Sequence, residues 1–171
     1  SRDGTRISYV GLGPVKENPR PVLVEVQQAD SGKVLLSARV TDWNLLTSAA
    51  LSPDGRYLVV AGPQRENIHH SLAKIWDLEA DTPPREIQIG KYCSDVKLSP
   101  KGTLLAVLSE HFVDLWDYTT GKQVRHLDTQ TRFPNKMLCF SADGTLVNYD
   151  KDFYGRHHLI LTFFPAAFTP V

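Results

Sequence analysis

Short apolar runs separated by polar turn segments recur along the whole chain. Runs such as RYLVVAG at 56–62 and TLLAVLS at 103–109 are typical of strands, because β-branched and aromatic side chains favour an extended backbone. No segment predicts a helix of useful length. The pattern predicts fourteen strands, at residues 5–11, 22–26, 34–40, 48–52, 56–62, 73–78, 85–89, 95–99, 103–109, 112–118, 124–127, 137–141, 145–150 and 158–163.

A four-residue turn motif occurs four times, each time before a predicted strand. It is SRDG from Ser1, SPDG from Ser52, SPKG from Ser99 and SADG from Ser141, at intervals of 51, 47 and 42 residues. Its glycine supplies the positive φ of a tight turn without a Cβ clash, and its serine hydroxyl can accept a hydrogen bond from a nearby backbone amide. Four copies at related intervals indicate a repeat protein.

The repeated unit is strand, turn motif, strand, loop, strand, turn and strand. This order predicts an all-β fold of antiparallel four-stranded sheets. We divide the chain, as a single domain, into units at approximately 1–47, 48–94, 95–136 and 137–171.

Two units end their third strand with a Trp-Asp pair, in IWDL at 75–78 and LWDY at 115–118. Repeats of about 40–45 residues with this ending resemble the WD-repeat family of β-propellers. The resemblance covers nearly the whole chain. It is specific in the two central units and weak in the outer two, where VEV at 24–26 and ILT at 160–162 stand at the Trp-Asp position. It implies propeller blades and a scaffold for protein–protein interaction.

The Gly-His pair that usually precedes the first strand of such repeats is absent from every unit. The buried His–Asp–Ser–Trp hydrogen-bond network of the family is therefore not transferred to this chain. We expect the blades to depend on apolar packing by Leu58, Trp76, Leu105, Trp116 and Phe140.

Fourteen strands predict an incomplete propeller, because propellers typically have about four to eight complete blades. An open arc leaves two sheet edges that invite pairing. Three arrangements remain: a fragment of a longer propeller, a ring closed with a second copy or another chain, and a stable open arc. Further blades or another chain are expected to close the propeller.

Composition narrows the choice of partners. Lys+Arg and Asp+Glu both number 19, and this neutrality argues against a nucleic-acid partner, which normally selects a basic face. No run approaches the ~18 apolar residues of a membrane span. Cys93 and Cys139 are predicted to be buried free thiols, although their distance, and hence a disulfide, stays open. Sparse thiols favour a reducing compartment, so we expect a cytoplasmic protein.

Catalytic and metal-binding patterns are weak. The adjacent pairs at 69–70 and 157–158 place two histidines side by side, and neighbours on an extended backbone point in opposite directions. Asp3, Asp54 and Asp143 are explained by their place in the turn motif. There is no GxSxG elbow. We therefore expect no enzyme activity, no metal and no cofactor.

Loops on one rim of the propeller are the candidate binding surface, because rigid blades hold such loops in place for recognition. The loops at 12–20 and 63–71 share this rim with those at 41–47, 90–94 and 128–136. Aromatic and arginine side chains dominate interface energies. The predicted partner-binding residues are Trp43, Arg65, Tyr92, Arg132 and Phe133, although Trp43 and Tyr92 also suit the role of covering the blade ends.

The predicted function is a non-catalytic scaffold that binds other proteins. One alternative is the propeller segment of a larger enzyme, such as a hydrolase-gating or TolB-like propeller, because SPDG-type turns also occur there. Those propellers lack regular Trp-Asp endings, which favours the scaffold. The other alternative is a rim that binds a sugar or peptide ligand.

Overall fold

The computed structural model describes residues 1–43, 46–90, 92–109, 112–128, 138–141, 144 and 146–148. These residues form thirteen strands, and no helix occurs among them. The fourteenth predicted strand, at 158–163, lies outside the described residues. The strands are β1 Arg6–Leu12, β2 Val22–Gln28, β3 Val34–Val40, β4 Ser48–Leu51, β5 Tyr57–Pro63, β6 Ser71–Asp77, β7 Arg85–Gln88, β8 Asp95–Leu98, β9 Leu104–Leu108, β10 Phe112–Asp117, β11 Lys122–Asp128, β12 Leu138–Phe140 and β13 Leu146–Asn148.

The strands form four antiparallel sheets, which we call blades 1 to 4. Blade 1 is β1–β2–β3, blade 2 is β4–β5–β6–β7, blade 3 is β8–β9–β10–β11, and blade 4 is β12–β13. In each sheet, strands that follow one another in the chain are hydrogen-bonded neighbours. The all-β prediction and the four-stranded unit are confirmed, and blades 2 and 3 are complete examples of that unit.

The turn motif closes as its sequence predicts. In the copy beginning at Ser52, the backbone N–H of Tyr57 donates to Ser52 Oγ over 2.8 Å, and the backbone N–H of Arg56 donates to Asp54 Oδ1 over 3.0 Å. Ser52 is fully buried. Gly55 has a φ of 75°, in the left-handed region that side chains with a Cβ avoid. The motif thus joins the first and second strands of the blade through hydrogen bonds from the backbone to its own serine and aspartate side chains.

Replacing Gly102 or Gly55 with alanine tests this backbone requirement. Gly102 has a φ of 76° and nothing within 4 Å of an added Cβ, so Gly102→Ala is expected to cost only the conformational strain, about 1–2 kcal/mol. At Gly55 an added Cβ lies 2.9 Å from Arg6 Cδ and 3.1 Å from Ser1 Cβ, so a larger loss is expected. Urea unfolding of both variants measures the difference, and equal losses would contradict the steric contribution.

The core lies between the blades, where the sheets stack face against face. We call the face of a blade that meets the preceding blade its front face, and the opposite one its back face. The back face of blade 1 packs on the front face of blade 2, and this pattern is repeated between blades 2 and 3 and between blades 3 and 4. The three contacts bury Val22, Val24, Val26, Val40 and Trp43 with Leu58, Val60 and Trp76; Val59, Ala61, Ala73, Ile75 and Ile87 with Val96, Leu105 and Val107; and Ala106, Leu108, Val113 and Leu115 with Leu138.

The first strands of successive blades converge on one side of the stack. β4 lies against β8, and β8 lies against β12. Ser48 Oγ donates to Asp95 Oδ1 over 2.8 Å, which links the first residues of β4 and β8. The first strands therefore form the inner side of the arc, and the fourth strands form its outer side.

Blade 1 differs from the sequence-based alignment of its third strand. Tyr57 pairs with Asp77 and Leu104 pairs with Asp117, whereas the equivalent Arg6 pairs with Gln28. Strand β2 continues to Gln28, two residues beyond its predicted end at 26. Gln27 and Gln28 therefore occupy the Trp-Asp position, and the assignment of 24–26 to it was wrong because the strand end was placed too early.

The two cysteines differ in their surroundings. Both are free thiols; Cys93 is buried between blades 2 and 3, but Cys139 is exposed. The prediction of a buried thiol was wrong for Cys139, because the residue follows buried Leu138 on an alternating strand and points to the other face. Burial raises the pKa of the Cys93 thiol to about 12, so this sulfur stays protonated at neutral pH.

Candidate functional site

Loops of blades 1 and 2 meet on one rim and are joined there by Arg65. Its guanidinium donates to the backbone carbonyls of Thr41 over 2.9 Å, of Trp43 over 2.8 Å and of Arg20 over 3.2 Å. One side chain thus joins its own loop to two others that lie far from it in sequence. Arg65 is half-buried, and these hydrogen bonds assign its guanidinium to fixing the rim.

Trp43 and Tyr92 occupy equivalent positions but have opposite environments. Val22 and Ser71 are equivalent residues at the start of the third strands of their units. Val40 pairs with Val22, and Ile89 is hydrogen-bonded to Ser71. Trp43 lies three residues beyond Val40, and Tyr92 lies three residues beyond Ile89. The Trp43 ring is fully buried between blades 1 and 2, whereas Tyr92 is 49% exposed. Trp43 therefore covers the blade ends and offers no surface for a partner. Trp43 was predicted to contact a partner, but its ring lies in the core and is not accessible to one.

The backbone explains why Tyr92 points outward. Its φ is 53°, the one positive value at a residue other than glycine in the described chain. The left-handed conformation is costly for a large side chain. The next residue, Cys93, enters the core of the junction. At this turn Tyr92 therefore faces the solvent, and Cys93 is the residue that enters the core.

Tyr92 is held against the neighbouring loop by His69. The Tyr92 hydroxyl and His69 Nδ1 are hydrogen-bonded, and the ring centroids lie 5.3 Å apart in an edge-to-face arrangement. Ile68 in the same loop is 57% exposed. Ser71 fixes the base of the turn, because its Oγ accepts from the backbone N–H of Cys93 over 3.2 Å. We call Ile68, His69 and Tyr92 the rim cluster.

A buried lysine lies beneath this rim. The Lys74 side chain is 11% exposed, and its Nζ is 2.9 Å from Asp42 Oδ2 and also bonded to Glu86. Burial alone lowers the pKa of Lys74, but the hydrogen bonds to Glu86 and Asp42 outweigh it and raise the pKa. The Nζ is also 5.9 Å from the centre of the Trp43 ring. Lys74 is therefore a charged, paired member of the contact between blades 1 and 2.

The two Trp-Asp aspartates have structural roles at the opposite end of the blades. Asp117 Oδ2 accepts from Thr103 Oγ1 over 2.6 Å, and its Oδ1 accepts from the backbone N–H of Thr119 and Thr120. Asp77 takes a bidentate pair from Arg56, at 2.9 and 2.7 Å. Thr103 and Arg56 each follow a motif glycine. Both aspartates therefore tie the turn after the third strand to the turn motif.

A groove of about 360 Å³ lies at that end, between blades 2 and 3. Tyr57 and Tyr118 form part of its wall, with ring centroids 5.2 Å apart. Burial first, and then nearby carboxylates, raise the pKa of Tyr118 to about 12. Asp77 lines the groove but is bound by Arg56. The groove offers aromatic surface and no nucleophile–base pair among its lining residues.

The described residues contain neither a metal-binding cluster nor a membrane-spanning helix. That part of the chain holds no group of three or more histidine, cysteine, aspartate or glutamate side chains placed to bind a metal ion. No helix long and apolar enough to cross a membrane was found there.

The predicted partner-binding residues divide into three groups. Tyr92 is exposed on the rim, and Arg65 is on the rim but bonded to backbone carbonyls. Trp43 is in the core. Arg132 and Phe133 lie outside the described residues. Ile68 and His69 were not among the residues predicted to bind a partner. Their position in the same long loop as Arg65 could have indicated them.

Comparison with known proteins supports the fold alone. No protein-family profile matches the chain, and no curated protein matches it. The β-propeller domain of the trilobed protease from Pyrococcus furiosus, described as having an open velcro topology, aligns with a TM-score of 0.62 at 14% identity, over 78% of this chain and 42% of that one. Kuenenia stuttgartiensis hydrazine synthase aligns with a TM-score of 0.54 at 24% identity, over 72% of this chain and 36% of that one.

These similarities establish the architecture of the chain. It is an all-β protein of antiparallel, four-stranded propeller blades, and it forms an incomplete propeller. The chain spans less than half the length of either of these structures.

Proposed function

We propose that this chain is a WD-repeat-like propeller segment that acts as a non-catalytic scaffold and binds another protein through the rim cluster. The WD-like assignment is supported by the shared role of Asp77 and Asp117, which close equivalent turns in blades 2 and 3.

Tyr92 is the observation that carries the scaffold proposal. A large aromatic ring is 49% exposed, in a backbone conformation that costs free energy, and Ile68, the chain neighbour of the His69 that contacts it, is exposed as well. The ring is already fixed by His69, so little side-chain entropy is lost when a partner covers it. Exposed, immobilised tyrosines are typical anchors of protein interfaces.

Site-specific photo-crosslinking tests this surface. A photoreactive phenylalanine derivative at position 92, which keeps the aromatic ring of the proposed anchor, is expected to link the chain to a discrete protein in an extract of the source cells. An excess of the unmodified chain should abolish the cross-linked product. The Tyr92→Ser chain should require at least about tenfold higher concentration to suppress it to the same extent, because one anchor side chain contributes about 2 kcal/mol to binding. Mass spectrometry identifies the linked protein.

Val124 supplies the matched control position. It is 57% exposed on β11, at the outer side of blade 3. The same photoreactive group at 124 is expected to give no product that the unmodified chain displaces. Equal products from 92 and 124, or equal competition by Tyr92→Ser, would exclude the rim cluster as the binding surface.

A second candidate function is the propeller of a larger enzyme. It is favoured by the two structural neighbours, whose names denote a protease and hydrazine synthase. An antibody raised against this chain, followed by peptide sequencing of the native protein it captures, distinguishes the two functions. A hydrolase nucleophile and base on the same polypeptide would favour the enzyme, and their absence from the complete polypeptide would favour the scaffold.

A further inference from the structure

The front face of blade 1 is exposed where the corresponding faces are buried. Leu58 and Val60 of blade 2 are fully buried against blade 1. By register the equivalent residues of blade 1 are Ile7 and Tyr9, which are 61% and 65% exposed. A depression of about 220 Å³ on this face is lined by Ile7, Tyr9, Glu25 and Gln27 among others.

The inner edge of the same sheet also lacks a neighbour. In blades 2 and 3 the second strand pairs with a first strand, β4 with β5 and β8 with β9. The equivalent strand β1 pairs with β2, and no other strand of the described chain pairs with it. An exposed strand edge next to an apolar face accepts further β-structure readily.

Charge indicates what kind of surface covers this face. On the front face of blade 2, Lys74 reaches back to Asp42, which lies two residues beyond the last strand of blade 1. On blade 3 the residue equivalent to Lys74 is Asp114, and the sequence position equivalent to Asp42 is occupied by lysine at 91, outside the described residues. The two sequence positions thus carry opposite charges in both pairs of blades. Lys74 meets Asp42 across the first junction, whereas Asp114 accepts from Gln123 and is bonded to His126 within blade 3. The equivalent front-face residue of blade 1 is Glu25, paired with Ser37 across the sheet.

We propose that the front face of blade 1 is a docking surface for the back face of a further four-stranded blade of the same polypeptide. That blade carries a lysine or arginine two or three residues beyond its fourth strand, placed to pair with Glu25. Its connection supplies a first strand for the inner edge of β1. This surface is separate from the rim cluster, so the proposal holds whether or not Tyr92 binds a partner.

The chain itself provides the material for a test. A copy of residues 48–98 is joined directly before Ser1 of the full chain, so that Leu98 precedes Ser1 as Leu98 precedes Ser99 in the natural sequence. The copy brings the back face of blade 2, a first strand equivalent to β8, and lysine at the position predicted to meet Glu25.

Hydrogen exchange and urea unfolding of the fusion give the expected result. Amides of residues 7–10 are expected to exchange at least about tenfold more slowly in the fusion than in the chain alone, because the edge becomes paired. Tyr9→Asp is expected to leave the urea midpoint of the chain alone unchanged and to lower that of the fusion. Replacing the copied lysine at 91 with glutamate should lower the urea midpoint of the fusion. Adding Glu25→Lys to that variant should restore the midpoint.

Two outcomes overturn the proposal. In the first, the copied blade is folded, as shown by slow amide exchange at the copied residues 58–61, but the amides of residues 7–10 exchange as fast as in the chain alone. The other is a native polypeptide, sequenced from the antibody capture, that contains no further blade. If the copied blade does not fold, the shorter addition of residues 94–98 before Ser1 is measured instead. Unchanged exchange at residues 7–10 in that variant also overturns the proposal. None of these outcomes changes the cross-linking result at position 92.

Discussion

Replacing Trp43 with alanine is expected to destabilise the chain by about 3–5 kcal/mol, the usual cost of removing a large buried aromatic side chain. The ring is fully buried and packs in the cluster between blades 1 and 2. Its loss leaves a cavity at the level of the paired Lys74, whose Nζ is 5.9 Å from the ring centre. Urea unfolding followed by circular dichroism measures the loss.

Tyr92→Ala is the matched control for this prediction. Tyr92 occupies the equivalent position at the next junction but is 49% exposed, so its removal should change the free energy of unfolding by no more than about 0.5 kcal/mol. Similar losses for the two variants would contradict the assignment of Trp43 to the core and of Tyr92 to the surface.

Replacing Asp117 with alanine is expected to have the second large effect. It should lower the free energy of unfolding by about 2 kcal/mol at neutral pH, because several hydrogen bonds to a charged group are removed together. The hydroxyl of Thr103, then that of Thr119, holds the pKa of Asp117 well below its ordinary value. A carboxyl whose pKa is lower in the folded state stabilises the protein fully above its unfolded pKa, about 4. This contribution is lost as the pH falls through the folded pKa.

The pH dependence gives this prediction its specific test. The difference in unfolding free energy between the native chain and Asp117→Ala should be constant from neutral pH to about pH 5 and should shrink in stronger acid. Asp77→Ala is the control. Its partner Arg56 is 41% exposed, and solvent screening limits such pairs to about 1 kcal/mol or less. A loss at Asp117 that does not shrink in acid would assign the effect to packing.

The strands were predictable from the sequence because local signals agree with the packing. The apolar run before Gly62 and the motif at 52–55 specify a strand and its turn without reference to distant residues. The extra length of β2 was not predictable, because Gln27 and Gln28 are polar and join the sheet through pairing with strands on either side, Gln27 with Ile7 and Val34 and Gln28 with Arg6. Register between strands is set by tertiary contacts, and a local pattern does not contain it.

The candidate site was predictable only as a region. The rim loops were found from their position between strands, and Tyr92 and Arg65 lie where that reasoning placed them. The exposure of Tyr92 goes with its φ of 53°, whereas Trp43 at the equivalent position has no positive φ and is buried. Nothing in the local sequence around Tyr92 predicts this conformation, because glycine and asparagine are the residues that usually adopt it.

The separation of the core into three clusters has a consequence for how the chain responds to stress. Each cluster joins only two adjacent blades, so stability is a sum of nearest-neighbour terms and not the property of one shared interior. Blade 2, which has a neighbour on both faces, is held by two such terms, whereas blade 1 is held by one. In the described chain blade 4 is likewise held by one cluster, so unfolding is expected to begin as fraying at blade 1 or blade 4 and to travel inward. A stabilising change in blade 1 is expected to delay fraying there more than the same change in blade 2.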